Sequence, residues 1–177
     1  MMQNSYSPVS VWLHWIMLIL LIGAYACIEF RVVFERGSDA RELIKTFHYA
    51  FGISIFALVW LRLIARLSSP NINREKYGLV QKTASKLMFL ALYTLMISMP
   101  ILGFVLISAE GNVITFFGMQ LPLLDIQSKE LADQIEDIHE TLGKVGYFLI
   151  GLHALAGLFH HFVIKDETMK RMLRFRS

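Results

Sequence analysis

The sequence has 177 residues, enough for one domain, and is 55% apolar and 18% charged, against roughly 45–50% and ~25% in soluble domains. The apolar excess implies a bilayer. The net charge of +3 is too small to indicate nucleic acid, and the single cysteine, Cys27, excludes an internal disulfide, a zinc cluster and an iron–sulfur site.

Ser7-Pro8 is a helix start signal. It leads into a first apolar span of roughly residues 9–28, which carries His14 but has neither a basic leader nor an A-x-A-like exit and so does not read as a cleaved signal. The first connection balances Arg31, Arg36, Arg41 and Lys45 against Glu29, Glu35, Asp39 and Glu42. A second span, roughly 47–67, opens at His48 and closes with Arg62 and Arg66, which can pair with lipid phosphate or with carboxylates of a bound group. Arg74, Lys76, Lys82 and Lys86 follow. A third span, roughly 87–107, contains Pro100, expected to kink it. The third connection is acidic, with Lys129 alone against seven acids from Glu110 to Glu140. A fourth span, roughly 142–164, is entered past His139, contains His153, His160 and His161, and ends in Lys165, Lys170, Arg171, Arg174 and Arg176.

Each span is close to the ~20 residues a helix needs to cross a bilayer, and none alternates like a strand. The expectation is an all-α integral membrane protein: a four-transmembrane-helix bundle forming a single domain over residues 1–177. Positive charge remains on the cytoplasmic side. Both termini and the second connection are therefore placed in the cytoplasm, and the first and third connections outside.

Ionisable side chains inside spans mark function. His14 lies 15 residues before Glu29 and His153 lies 13 after Glu140, so both sit roughly 20–22 Å below the outer edge at ~1.5 Å per residue. His48 and His139 lie at that edge. The four form two levels of two imidazoles on different helices, the arrangement a six-coordinate haem iron requires. His139 and His153, 14 residues apart, fall within roughly 40° of one helical face, with the two levels about 20 Å apart. Zinc would require three or four ligands at one level. Gly52, Gly143, Gly146, Gly151 and Gly157 can make room for a flat ligand or serve ordinary helix packing.

The stretches VSVWLHWIMLILLIGAYACIEFR, FHYAFGISIFALVWLRLIARL, MPILGFVLISAEGN and HETLGKVGYFLIGLHALAGLFHHFVIKD cover all four spans. They resemble the prokaryotic cytochrome b561 family, in particular its small stand-alone di-haem members. The resemblance implies two haem b groups, an inner one on His14 and His153 and an outer one on His48 and His139. It also implies oxidoreductase activity in a bacterial inner membrane: superoxide oxidised at the periplasmic face and ubiquinone reduced near His160 and His161. Arg31, in the E-F-R stretch, is the candidate superoxide mouth, with Arg36, Arg41 and Lys45 near it. The acidic third connection opposes anion steering. Two other readings remain open: an electron-transfer subunit whose redox partner docks on that acidic connection, and a non-redox bundle whose histidines bind metal or relay protons.

Overall fold

A computed structural model of the protein describes residues 6–68, 78–116 and 118–173. Four long helices dominate: α1 (Pro8–Arg31), α2 (Asp39–Leu67), α3 (Leu79–Glu110) and α4 (Lys129–Phe159). A π-helical turn, His160–Ile164, continues α4, and a short α5 (Thr168–Leu173) follows. The third connection carries a two-stranded antiparallel hairpin, β1 (Thr115–Phe116) and β2 (Met119–Gln120), with Gly118 at φ +81° between them.

Local chemistry accounts for the helix ends. Ser7, Ser38 and Ser128 cap α1, α2 and α4, each side chain accepting from the backbone N–H three residues on. α3 closes on Gly111 in the left-handed conformation (φ +72°). Pro100 lies inside α3 without ending it.

Helices α2 and α4 start eight and thirteen residues before the apolar runs at 47 and 142. Their first turns are polar, so His48 and His139 do not stand at helix starts. The outer level lies further inside the bundle than residue counting placed it: His48 is level with Ala24 of α1, and His139 with Gly103 of α3.

α1 packs along α2, and α3 along α4; α2 and α3 close the bundle more loosely. The interior cluster comprises Met17, Ala24, Ile55, Val59, Tyr93 and Met96. The outer surface is apolar as well, with Phe148 79% and Leu155 64% exposed. Such a surface is unsustainable in water and natural in hydrocarbon. The protein is an all-α integral membrane protein, a bundle of four helices of membrane-spanning length.

Side-chain contacts gather alternate helix ends. Arg66 stacks on Tyr6, 5.5 Å from its ring centre; Gln81 meets His160; and Trp15 Nε1 donates to the Met172 carbonyl at 2.8 Å. The start of α1, the end of α2, the start of α3 and the end of α4 therefore share one end of the bundle. Arg66, Lys82, Lys86, Lys165, Lys170 and Arg171 lie there; Arg74, Lys76, Arg174 and Arg176 fall outside the described residues.

Neither α1 nor α2 packs its backbone closely along α4. Side chains cross that space instead. Tyr25 reaches from α1 to donate to the Gly143 carbonyl at 3.0 Å, and its hydroxyl occupies the place where a Cβ on Gly146 would be. Gly146→Val should therefore lower thermal stability in detergent by an overpacking cost of about 1–3 kcal/mol. An unchanged unfolding midpoint would contradict this close approach.

Candidate functional site: two histidine pairs along α4

His14 of α1 and His153 of α4 face each other with ring centroids 6.2 Å apart and planes 79° to one another. His48 of α2 and His139 of α4 do the same at 6.3 Å and 76°. Two different helices, α1 and α2, thus produce nearly the same separation from α4. A transition metal between two imidazole nitrogens at ~2.0–2.1 Å each, plus about another ångström from nitrogen to ring centre, sets centroids about 6–6.5 Å apart. Both pairs match that span. No three His, Cys, Asp or Glu residues converge on a metal position among the described residues. Each level therefore offers two imidazole ligands, a set that would suit a haem iron.

The surroundings fit a flat ligand. Both pairs bridge the spaces where α4 stands off from α1 and α2. A Cβ built on Gly52, one turn after His48, meets nothing within 4 Å. Gly146 and Gly157 instead pack against Tyr25 and Met169. Gly103 of α3, which sequence reasoning passed over, lets the His139 ring lie close: a Cβ there would be 3.4 Å from Cε1.

Hydrogen bonding orients the rings and differs between levels. His48 Nδ1 lies 3.0 Å from the Ala24 carbonyl. A carbonyl only accepts, so Nδ1 carries the proton and Nε2 offers its lone pair, the arrangement of a metal-binding histidine. His139 Nδ1 is buried and has no hydrogen-bond partner. At the inner level, Arg62 donates to His14 Nδ1 at 2.8 Å and to Tyr93 Oη at 3.2 Å. Guanidinium is a donor only, so this contact belongs to a ring whose Nδ1 accepts, whereas a ring bound to metal through Nε2 presents Nδ1–H. Arg62 therefore turns inward rather than to lipid phosphate, and Arg66 rests on Tyr6.

Arg31, at the outer end of α1, lies within Coulombic reach of His48 and Glu140. Its Nε is buried without a hydrogen-bond partner. Its basic neighbours are engaged elsewhere: Lys45 pairs with Glu42 at 2.8 Å, and Arg41 donates to the Arg31 and Phe34 carbonyls. Arg36 is exposed.

His160 and His161 open the π-turn, a feature concentrated at functional sites. Lys165, at φ 56°, then reverses the chain and returns Asp166 to His160. His160 Nδ1–H donates to Asp166 Oδ2 at 2.6 Å, while Nε2 accepts from the Gln81 amide at 3.1 Å. Partial burial pushes the Asp166 carboxyl up, but the hydrogen bonds from His160 and Thr168 outweigh it and hold the group at about 2. His161 Nδ1 is buried without a hydrogen-bond partner, its ring edge-on to Phe162.

The prokaryotic cytochrome b561 family model matches residues 5–175. Among relatives, "Cytochrome b561 homolog 1" of Escherichia coli (strain K12) is 37% identical, over 99% of this chain and 100% of that protein. "Probable superoxide oxidase CybB" of Yersinia pestis is 33% identical, over 97% of each. "Cytochrome b561 homolog 2" of E. coli K12 is 28% identical, over 96% of this chain and 92% of that one.

Two outcomes follow from the site geometry. If each pair holds one haem, His153→Ala should lose the haem of the His14 level and keep the other, and His48→Ala the reverse, read from haem content and reduced-minus-oxidised spectra. Loss of the same haem from both variants would refute the pairing. Separately, the Asp166 carboxyl titrates lower in the folded chain than its ordinary 3.8, so its contribution to stability is present above that value and lost as pH falls toward about 2. The gap in thermal midpoint between wild type and Asp166→Asn should close over that interval; a gap independent of pH would contradict the His160–Asp166 contact.

Proposed function

This chain belongs to the prokaryotic cytochrome b561 family, haem b proteins of membrane electron transfer, and we propose that it carries electrons from superoxide outside a bacterial inner membrane to ubiquinone near its cytoplasmic end. The observation that carries this reading is the repetition of one imidazole spacing at two levels of α4, 6.2 and 6.3 Å. Two haem b groups would be held there, the inner by His14 and His153, the outer by His48 and His139. Bound haem supplies a one-electron carrier in a low-dielectric interior.

The chain's own residues do the rest. His48, locked by the Ala24 carbonyl, presents Nε2 to the outer group. Arg31 gives the outer rim a cation whose Nε has no competing hydrogen bond. It draws the anionic substrate locally: of the third connection's acids, Glu140 lies within its reach but is ion-paired with Lys144 at 2.9 Å, and those farther than ~8–10 Å are screened at physiological salt. Two superoxide anions each surrender one electron and leave as dioxygen; two electrons and two protons convert the quinone to quinol. At the other end His160, its Nδ1 proton steadied by Asp166, and His161, with a buried Nδ1 free of hydrogen bonds, form the quinone-facing pair. The basic residues collected at this end support its assignment to the cytoplasmic side. The name and near-complete alignment of the Yersinia relative support superoxide as the donor.

Superoxide generated beside the purified protein should reduce its haem without a partner protein, and added ubiquinone should then be converted to quinol. Arg31→Glu should slow haem reduction roughly tenfold at low salt, in the range of electrostatic steering, with haem content unchanged. Haem that dithionite reduces and superoxide does not would favour an electron-transfer subunit docked through the acidic third connection. An unaffected Arg31→Glu rate would remove Arg31 from the substrate mouth.

A further inference from the structure

Helix α2 supplies no histidine to the inner level, yet it reaches that level. Arg62 stands 14 residues after His48, the interval that separates His139 from His153 on α4. Each of these helices therefore addresses both levels with one face. The Arg62 guanidinium donates to His14 Nδ1 and to Tyr93 Oη. Tyr93 is 8% exposed and belongs to the interior cluster with Met17, Ile55 and Val59, so packing fixes this anchor.

Both hydrogen-bond partners of Arg62 are neutral. No carboxylate occurs in residues 43–68, 79–109 or 141–165. The ion pairs among the described residues do not include Arg62. A guanidinium remains charged at any physiological pH, and in a bundle clad in hydrocarbon its field is weakly screened. The outer level has a cation too, Arg31, with Glu140 within Coulombic reach and itself ion-paired with Lys144 at 2.9 Å, and the His48 ring donates to a neutral carbonyl. The cation of the outer level stands among other charged side chains, whereas that of the inner level has no ion-pair partner within the chain among the described residues.

We propose that Arg62 makes the inner level the electron sink: its positive charge, anchored by Tyr93 beside His14, favours the reduced state there and sets the inward direction of transfer. The proposal rests on the reading of the two histidine pairs as haem sites. An electron passing inward oxidises the outer group and reduces the inner one, with no bond made and no proton moved. Arg62 acts through its field, so it is a positioning residue, and the effect holds whichever ring nitrogen of His14 carries the proton. Hydrogen bonding and nearby charge are established levers on haem potential.

The test is potentiometric titration of the purified di-haem protein, following both haem bands in wild type, Arg62→Gln and Arg62→Lys. Arg62→Gln should make reduction of one haem at least tenfold less favourable, 59 mV for a one-electron couple, and leave the other in place. Arg62→Lys, which keeps the charge, should restore most of the difference. The band that shifts should be the one absent from His153→Ala. Two bound haems with both potentials unchanged in Arg62→Gln, or both shifted equally, would overturn the proposal. Should Arg62→Gln lose a haem, Tyr93→Phe takes its place: it keeps the charge and the aromatic ring but removes the anchor. A downward shift of the same band upholds the proposal, and an unshifted band overturns it. A wild-type chain without two haems would instead remove the reading of the histidine pairs on which the proposal stands.

Discussion

Imidazole is polar, and the interior of a membrane bundle offers it no water. Four such rings at depth persist only if each finds a partner that repays its burial. In this protein the rings meet in twos across space that the helix backbones leave open, at 6.2 and 6.3 Å. Much of the architecture can be derived from that constraint. α4 must run long and straight enough to carry His139 and His153 on one face. α1 and α2 must pack on each other rather than on α4, so that the rings have room between them. Small residues stand one turn from His48, at Gly52, and where a ring must lie close to a neighbouring helix, at Gly103.

Side chains rather than backbone contacts hold the open spaces to a fixed width. Tyr25 spans from α1 to the Gly143 carbonyl, Tyr147 donates to Glu29 at 2.6 Å, and Arg62 ties α2 to α1 and α3 through His14 and Tyr93. A bundle braced this way keeps its width across the spaces where α4 stands off from α1 and α2. The end of the bundle that gathers the basic residues is braced differently. There the π-turn and the left-handed Lys165 fold Asp166 back onto His160, and Gln81 joins α3 to the same ring.

Much of this was readable in the residues. Four apolar runs and the segregation of basic residues carried the all-α membrane architecture. The 14-residue interval on α4 carried the meeting of His14 with His153 and of His48 with His139, because helical rise and period are nearly invariant. Helix starts were misjudged because the turns from Asp39 and Lys129 are polar, and hydropathy registers only the part that faces lipid. Arg62 read as a lipid-phosphate contact because an arginine at a span's end ordinarily snorkels outward; only its register with His48, the same 14 residues, pointed inward. Asp166 had no signal, since a π-turn and one residue at positive φ decide whether it faces His160. The hairpin at Thr115–Gln120 is too short to show a period.

The most direct measurement is the haem stoichiometry and low-temperature electron paramagnetic resonance of the oxidised, detergent-purified chain. Two imidazoles held near-perpendicular, at 79° and 76°, should give two haems per chain, both low-spin and strongly anisotropic. A colourless protein, a single haem per chain, or a high-spin signal from either site would contradict paired histidine ligation at two levels.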